Sequence, residues 1–239
     1  MKKISVIIPV HNEERRLSPC LERVIPFLRR TYPGEYEIVI VDNASTDDTL
    51  KIARTYVNTY PTVSALSVPL RGKGLAIKRG MAFAEGRYRY MCDVDLSTPI
   101  EALPDFMARI ETPYDIVIGS REIVPALVQT SLLRRVMGRA FHLLVNDLVP
   151  GVVDTQCGFK LFTDVAARAI FGRLQLPGMA FDVEALYLAR MMGFMIGELP
   201  VQWEHNPDSR VRLVWDSLEM ARDVAAIPWI HSQIAKIPA

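Results

Sequence analysis

With 239 residues the chain can bury a large core, either as one domain or as a domain with an appendage. Half the residues are hydrophobic and the mean hydropathy is +0.14, which excludes a polytopic membrane protein but leaves some apolar surface for a partner. Lys and Arg total 28 against 27 acidic residues, a formal charge of +1, so there is no overall field to attract nucleic acid and no nucleic-acid partner is expected.

The chain opens with Met1-Lys2-Lys3 and the apolar run Ile4–Val10. Basic residues before an apolar run suggest a signal sequence, but the run stops at His11-Asn12-Glu13-Glu14 without a small-residue cleavage site, so it reads as a first buried strand. Glu37–Val41, Val63–Val68 and Tyr88–Cys92 are further strand candidates, rich in β-branched and aromatic residues. Between them Leu17–Arg30, Asp47–Tyr60 and Leu75–Ala84 carry apolar residues at three- and four-residue spacing, the period of a helix. A helix is expected to begin near Pro99, and Ile116–Gly119 adds a fifth strand. This βαβ order predicts an α/β fold with a parallel sheet covered by helices. The loops His11–Glu14, Asn43–Asp48, Leu70–Gly74 and Val94–Thr98 all follow carboxyl ends of strands, where open α/β sheets bind their ligands.

The second half is less regular. Leu132–Val149 reads as a helix with a broad apolar face and a basic start at Arg134, Arg135 and Arg139; Phe181–Met192 is another helix and Phe194–Val201 an edge strand. Leu213–Ile237 is amphipathic, broken by Pro228, and carries Trp215 and Trp229. It suits a core helix, a membrane-interface helix or a self-association surface. Cys20, Cys92 and Cys157 are far apart and odd in number, which fits a reducing compartment. No stretch of about 18 uncharged apolar residues predicts a membrane-spanning helix.

The chemistry concentrates in the strand-end loops. Asp42-Asn43-Ala44-Ser45-Thr46-Asp47-Asp48-Thr49 supplies turn and helix-capping residues, but Asp42 sits at the strand tip, where a carboxylate accepts from a base N–H or a ribose hydroxyl. Asp93-Val94-Asp95 places two hard carboxylates at another tip, a pattern for Mg²⁺ or Mn²⁺ with a diphosphate completing the octahedron, or else a solvated acidic turn before Ser97, Thr98 and Pro99. The apolar Tyr90-Met91-Cys92 before the pair argues for a compensating cation. Arg71-Gly72-Lys73-Gly74 allows close backbone approach and offers Lys73 to a diphosphate or near a base, without P-loop spacing; a surface turn is its plain alternative. Arg121 in Gly119-Ser120-Arg121 suits a bidentate phosphate contact or an ordinary surface arginine. Asp154–Lys160 and Phe181-Asp182-Val183-Glu184 bring polar groups into apolar surroundings, as ligands or as hydrogen-bond networks.

Taken together, Ile7–Glu14, Val41–Thr49, Gly72-Lys73-Gly74, Asp93-Val94-Asp95 and Gly119-Ser120-Arg121 resemble the family-two glycosyltransferases of GT-A fold. Asp154–Phe162, Phe181–Glu184 and Met220-Ala221-Arg222-Asp223 are similar to the dolichyl-phosphate hexosyltransferases, the glucosyl branch above all, and the match runs in order along nearly the whole chain. The resemblance implies a GT-A-type Rossmann-like sandwich with a mainly parallel central sheet and a C-terminal helical elaboration. Residues 1–212 would form the transferase domain, and 213–239 an amphipathic segment packed on it or at a membrane interface. It further implies inverting transfer of a hexose, glucose from UDP-glucose, to a polyprenyl phosphate with Mg²⁺ or Mn²⁺. Pro9, His11, Glu13 and Asp42 would border the nucleotide, Asp93 and Asp95 engage metal and diphosphate, Arg121 meet the acceptor phosphate and Arg210 close over the diphosphate. Asp95 is the residue expected on the metal, with Asp93 nearer the donor sugar or ribose. The enzyme is expected in the cytoplasm, peripheral at the cytoplasmic face of a membrane. Ser97 stands where the mannosyl branch often has Gln, which leaves the third metal ligand open. The N-terminal membrane helix of eukaryotic glucosyl relatives has no counterpart in this sequence. Other readings are GDP-mannose as donor, a sugar hydroxyl as acceptor with Asp154, Asp182 or Glu184 as base, a nucleotidyltransferase and a non-enzymatic nucleotide-sugar sensor.

Overall fold

The computed structural model of the chain describes residues 2–111, 113–122, 145–203 and 213–233, with side chains described from 218 on in the last stretch. Its elements are β1 (Ile4–Val10), α1 (Leu17–Thr31), β2 (Tyr36–Asn43), α2 (Thr49–Thr59), β3 (Val63–Val68), α3 (Lys73–Phe83), β4 (Tyr88–Met91), α4 (Leu103–Ile110), β5 (Ile116–Ser120), β6 (Lys160–Thr163), α5 (Asp164–Arg173), α6 (Phe181–Met191), β7 (Ile196–Pro200) and α7 (Leu213–Ile230). A short 3₁₀ turn at Ile100–Ala102 leads into α4, so the helix expected near Pro99 starts a turn late. The expected Leu132–Val149 helix lies outside the described residues up to 144, and 145–148 are helical.

The seven strands form one sheet in the order β3-β2-β1-β4-β6-β5-β7. β1 pairs in parallel with both β2 and β4, with Ile7 opposite Val39 on one side and Met91 on the other. Pro9 lies beyond the last β1–β4 pair, so its missing N–H costs nothing on that side. The chain winds from β1 out to β3 and returns to β4 on the other side of β1. That reversal opens a crevice at the carboxyl ends of β1 and β4.

Side chains alternate across the strands and divide the core in two. Ile4, Val6, Ile8, Ile38 and Ile40 face α1, α2 and α4, where the three- and four-residue spacing of Leu17, Leu21, Val24 and Leu28 gives α1 a continuous apolar stripe. Each of these fully buried aliphatic side chains contributes about 1.5–3 kcal/mol. Ile7, Val39, Val41, Met91, Ile116 and Phe162 face α3, α5 and α6, joined by Val224 and Ile227 of α7. Pro228 does not break α7; it falls in the last turn and the helix runs on to Ile230. No described helix is long and apolar enough to cross a membrane.

Two elements went unread in the sequence. β6 is four residues long and inserts antiparallel between β4 and β5, and α5 follows it directly, capped by the Thr163 hydroxyl, which accepts from the Ala166 N–H at 3.3 Å. β7 is the expected edge strand, parallel to β5.

Candidate active site

The strand-end loops are tied to one another in a chain of contacts that runs round the crevice. Asn12 and the β2–α2 loop interlock: the Asn12 N–H donates to Ser45 Oγ at 2.9 Å, and Asn12 Oδ1 accepts from the Thr46 N–H at 2.7 Å. The Glu13 N–H donates to Thr49 Oγ1 at 2.7 Å, while the Glu13 carboxylate takes both arms of Arg16 at 2.6 and 2.7 Å. His11 Nδ1 donates to the Asn43 carbonyl at 2.7 Å, which fixes the tautomer and leaves Nε2 as an acceptor when the ring is neutral. Asn43 then staples the third loop, donating to the Leu70 carbonyl and accepting from the Gly72 N–H, both at 2.7 Å. Among the described residues, the non-glycine positions with a left-handed backbone are Asn12, Ala44 and Leu96, at φ 55°, 55° and 48°. All three lie in these loops, where strain of this kind accompanies function.

Asp42 is 2% exposed at the end of β2, opposite Val10 of β1. Its Oδ1 is buried with no hydrogen-bond partner, and Oδ2 lies 3.5 Å from Ser67 Oγ. An acceptor held dry and unpaired at a strand tip is a place for a ligand N–H or hydroxyl.

Across the crevice, Lys73 at the start of α3 donates to Asp93 Oδ1 at 2.7 Å. Burial pushes the Asp93 carboxyl up, but the Lys73 ammonium, with Lys160 and Arg121, more than offsets it and holds the group below its ordinary value. Lys73 itself is raised: burial works against its charge, and Asp93 and Asp182 outweigh it. Lys73 thus supplies one positive charge against the paired carboxylates, at Asp93. Gly158 backs the same carboxylate; a Cβ there would fall 1.9 Å from Asp93 Oδ2, so any side chain at 158 would displace that carboxylate.

Asp95 accepts from the Ser97 N–H at 3.0 Å and makes no ion pair among the described residues, although the Lys73 ammonium acts on it from a distance. The described residues hold no group of three or more metal-ligating side chains. One free carboxylate with a second nearby is the donor set that suits Mg²⁺ or Mn²⁺, whose remaining positions go to water and phosphate oxygens. Asp95 fits that role. Asp93 is engaged by Lys73, a contact that a metal would have to share.

Arg121 follows β5 and grips Asp154 through Nε at 2.7 Å and through its second arm at 2.9 Å, with the Arg121 N–H at 3.1 Å from the same carboxylate. Its guanidinium centre lies 5.8 Å from the Trp203 ring, a cation–π distance. Burial raises the Asp154 carboxyl and Arg121 more than offsets it, so the net direction is down. Lys160, 1% exposed, donates to Asp182 at 2.5 Å and to the Cys157 carbonyl at 2.6 Å. Glu184, fully buried, accepts from the Gln175 and Leu176 N–H groups at 2.6 and 2.8 Å and lies 2.7 Å from His231 Nε2. Arg210 lies outside the described residues.

The structure thus brings Pro9, His11, Asp42, Lys73, Asp93 and Asp95 round one crevice at the carboxyl end of the sheet, with Arg121 after β5, separated from β4 by β6. It adds Asn43 and Gly158, which the sequence gave no reason to single out. The Asn43 amide sits inside a segment that reads as helix-capping, and Gly158 matters only through a contact 65 positions away from it in the chain, at Asp93.

Comparison with known proteins gives these contacts a family. The family model "Glycosyl transferase family 2" matches residues 5–169. A dolichyl-phosphate beta-glucosyltransferase of Dictyostelium discoideum is 38% identical over 94% of this chain and 73% of its own length, and the Homo sapiens protein of the same name is 34% identical over 95% and 75%. Among solved structures, glucosyl-3-phosphoglycerate synthase from Mycobacterium tuberculosis in complex with UDP superposes with a TM-score of 0.68 at 21% identity, over 100% of this chain and 82% of that one, a likeness of fold. A further structure of that synthase, at TM-score 0.65 and 20% identity, holds Mn²⁺, UDP-glucose and phosphoglyceric acid, over 100% of this chain and 81% of that one. From the matched residues and the relatives alike, this chain belongs to glycosyl transferase family 2 and is a nucleotide-sugar-dependent glycosyltransferase.

Proposed function

We propose that the chain transfers glucose from UDP-glucose to a polyprenyl phosphate, with inversion at the anomeric carbon and with Mg²⁺ or Mn²⁺. The observation that carries the acceptor class is the condition of the three carboxylates that a hydroxyl acceptor would need as base. Asp154 takes both arms of Arg121, Asp182 is closed by Lys160, and Glu184 is enclosed with His231 and two backbone N–H groups. A general base must be open to the proton it removes. All three are engaged in contacts within the fold. A phosphate monoester needs no base, because its second pKa near ~6 leaves it mostly dianionic at pH 7. The names of the relatives support both glucose and dolichyl phosphate.

Asp42 supports the uridine nucleotide. Uracil presents one ring N–H between two carbonyls, which suits one unpaired carboxylate oxygen with the other turned to Ser67. Guanine presents adjacent N–H donors that ask for both oxygens. Pro9, His11 and Glu13 are the proposed neighbours of the base and ribose, with Glu13 held in place by Arg16.

Asp95, with Asp93, would hold the cation. When bound, that cation would neutralise the diphosphate and ease departure of the nucleoside diphosphate. Lys73 holds the Asp93 carboxylate and adds positive charge beside the diphosphate; the proposed roles of Arg121 and of Arg210, which lies outside the described residues, are to hold the incoming phosphate and the diphosphate together. The in-line reaction then consists of bringing two anions into contact in a positively lined crevice.

The acceptor class asks for membrane contact. α7 turns Val224 and Ile227 inward, His231 just after it is buried too, and Leu218, Arg222, Ala225 and Trp229 form its outer stripe, with Trp229 82% exposed. An apolar stripe with an indole and a guanidinium suits the bilayer interface, and the protein is proposed to sit peripherally at the cytoplasmic face. Cosedimentation with anionic vesicles should fall on Trp229→Ser. Unchanged cosedimentation would overturn the docking face, and a monomer on Trp229→Ser from a dimeric wild type would make it a self-association surface. Melting temperature with Mn²⁺ and either UDP or GDP tests the donor: UDP should raise it, and a rise with GDP alone would reverse the assignment.

A further inference from the structure

The donor-side turn Gly72-Lys73-Gly74 has no cap of its own: α3 begins without a side-chain hydrogen bond at its N-terminus. Besides the Asn43 contact to the Gly72 N–H, it is held by the turn 174–177. The Gly74 N–H donates to the Pro177 carbonyl at 2.9 Å. A Cβ on Gly74 would lie 2.4 Å from the Leu176 carbonyl oxygen, and one on Gly72 would lie 2.5 Å from that of Pro177. The two backbones touch, so a shift in one displaces the other.

The 174–177 turn is in turn fixed from two sides. Lys78 of α3 donates to the Leu174 carbonyl at 2.7 Å. The fully buried Glu184 accepts the next two N–H groups, of Gln175 and Leu176, and its Oε1 meets His231 Nε2 at 2.7 Å. With Nε2 as the donor to that oxygen, His231 completes the set of groups held on the Glu184 carboxyl. His231 is 3% exposed, stands just after α7, and lies 47 residues from Glu184 in sequence.

We infer that His231 is a positioning residue for the donor site: by completing the Glu184 shell it fixes the 174–177 turn, and through it the backbone that sets Lys73 on Asp93. The inference rests on the reading of this crevice as the UDP-sugar site. It assigns a donor-side role to a residue of the C-terminal region that no strand-end motif contains. His231→Gln keeps an N–H at the reach of Nε2, whereas His231→Asn stays polar and withdraws it.

The test is titration calorimetry of UDP with Mn²⁺, without acceptor, on folded proteins. H231N should weaken UDP about 5- to 20-fold, and H231Q should restore it to within about twofold of wild type. In a Lys73→Ala background H231N should add less than about twofold, because the histidine acts through that lysine. A residue that only holds the fold together would give losses that add. Should H231N fail to fold, Lys78→Met loosens the same turn from the α3 side, with the same donor loss and the same non-additivity expected. Wild-type protein that binds no UDP sinks the donor assignment and this inference with it. Wild-type binding with unaffected H231N or Lys78→Met, or additive losses with Lys73→Ala, overturns the inference alone.

Discussion

Replacing Asp42 by Asn separates the two things a buried carboxylate can do, support the fold or hold a ligand. Its Oδ1 has no partner and its Oδ2 contact to Ser67 is 3.5 Å, beyond the usual O–H···O range. An unpaired buried polar atom costs about 1–3 kcal/mol, and more when charged. Asp42→Asn keeps the size and removes the charge, so the ligand-free protein should be as stable as wild type or up to about 1 kcal/mol more stable. At this chain length that is a rise in Tm of about 2–4 °C. Binding should move the other way. A charge-assisted hydrogen bond is roughly twice as strong as a neutral one and worth about 1.5–3 kcal/mol, so UDP should bind about 5- to 10-fold more weakly. Melting without ligand, and calorimetric titration with UDP and Mn²⁺, read the two effects separately. A variant that melts several degrees lower while binding UDP as tightly as wild type would refute the assignment of Asp42 to the donor.

Other substitutions test other parts of the site. Asp95→Ala should abolish transfer and leave Tm within about 2 °C, since the side chain is partly exposed and makes one backbone contact; Mn²⁺ binding measured by electron paramagnetic resonance should weaken with it, and unchanged Mn²⁺ affinity would place the metal elsewhere. Asp154→Asn should destabilise by about 2–3 kcal/mol in urea, less than the 3–5 typical of a wholly buried pair, because the Arg121 side chain is 35% exposed; a loss under about 0.5 kcal/mol would mean the pair is not holding the β5 end in place. Acid stability should depend on Glu37. Burial raises that carboxyl, but Lys2, Ser5 and the Glu85 N–H more than offset it, so its folded pKa lies below the unfolded value. Its contribution is fully present above about pH 4.3 and is lost as pH falls through the folded pKa. Glu37→Gln should therefore cost stability at pH 7 and narrow to little difference near pH 2, and a constant difference across that range would contradict the shift.

Much of the first half was legible from strand pattern: β1 spans Ile4–Val10, as predicted, because a central strand buried on both faces reads as a nearly continuous apolar run, while the edge strand β3, Val63–Val68, is mostly half-buried and was read from its spaced Val, Ala and Leu. The convergence of four loops followed from strand direction alone. β6 was not legible, since it is short and begins with Lys160, a residue type that signals solvent yet is 1% exposed here because Asp182 and the Cys157 carbonyl enclose its charge. The Thr163-Asp164 cap was the one local mark of the α5 that follows. Site partners were harder still. Asp93 and Arg121 were visible as candidates, but that Lys73 would hold the first and Asp154 the second depends on contacts across 20 and 33 residues. Pro228 shows the limit of a propensity rule: in a last turn, proline removes a hydrogen bond without ending the helix.

The central claim is the transfer itself. Incubating the protein with radiolabelled UDP-glucose, Mn²⁺ and dolichyl phosphate, and identifying the lipid product by mass spectrometry, should reveal one glucosyl phosphate lipid formed with stoichiometric release of UDP. A labelled product only with GDP-mannose, only with sugar-hydroxyl acceptors, or with release of pyrophosphate would contradict it.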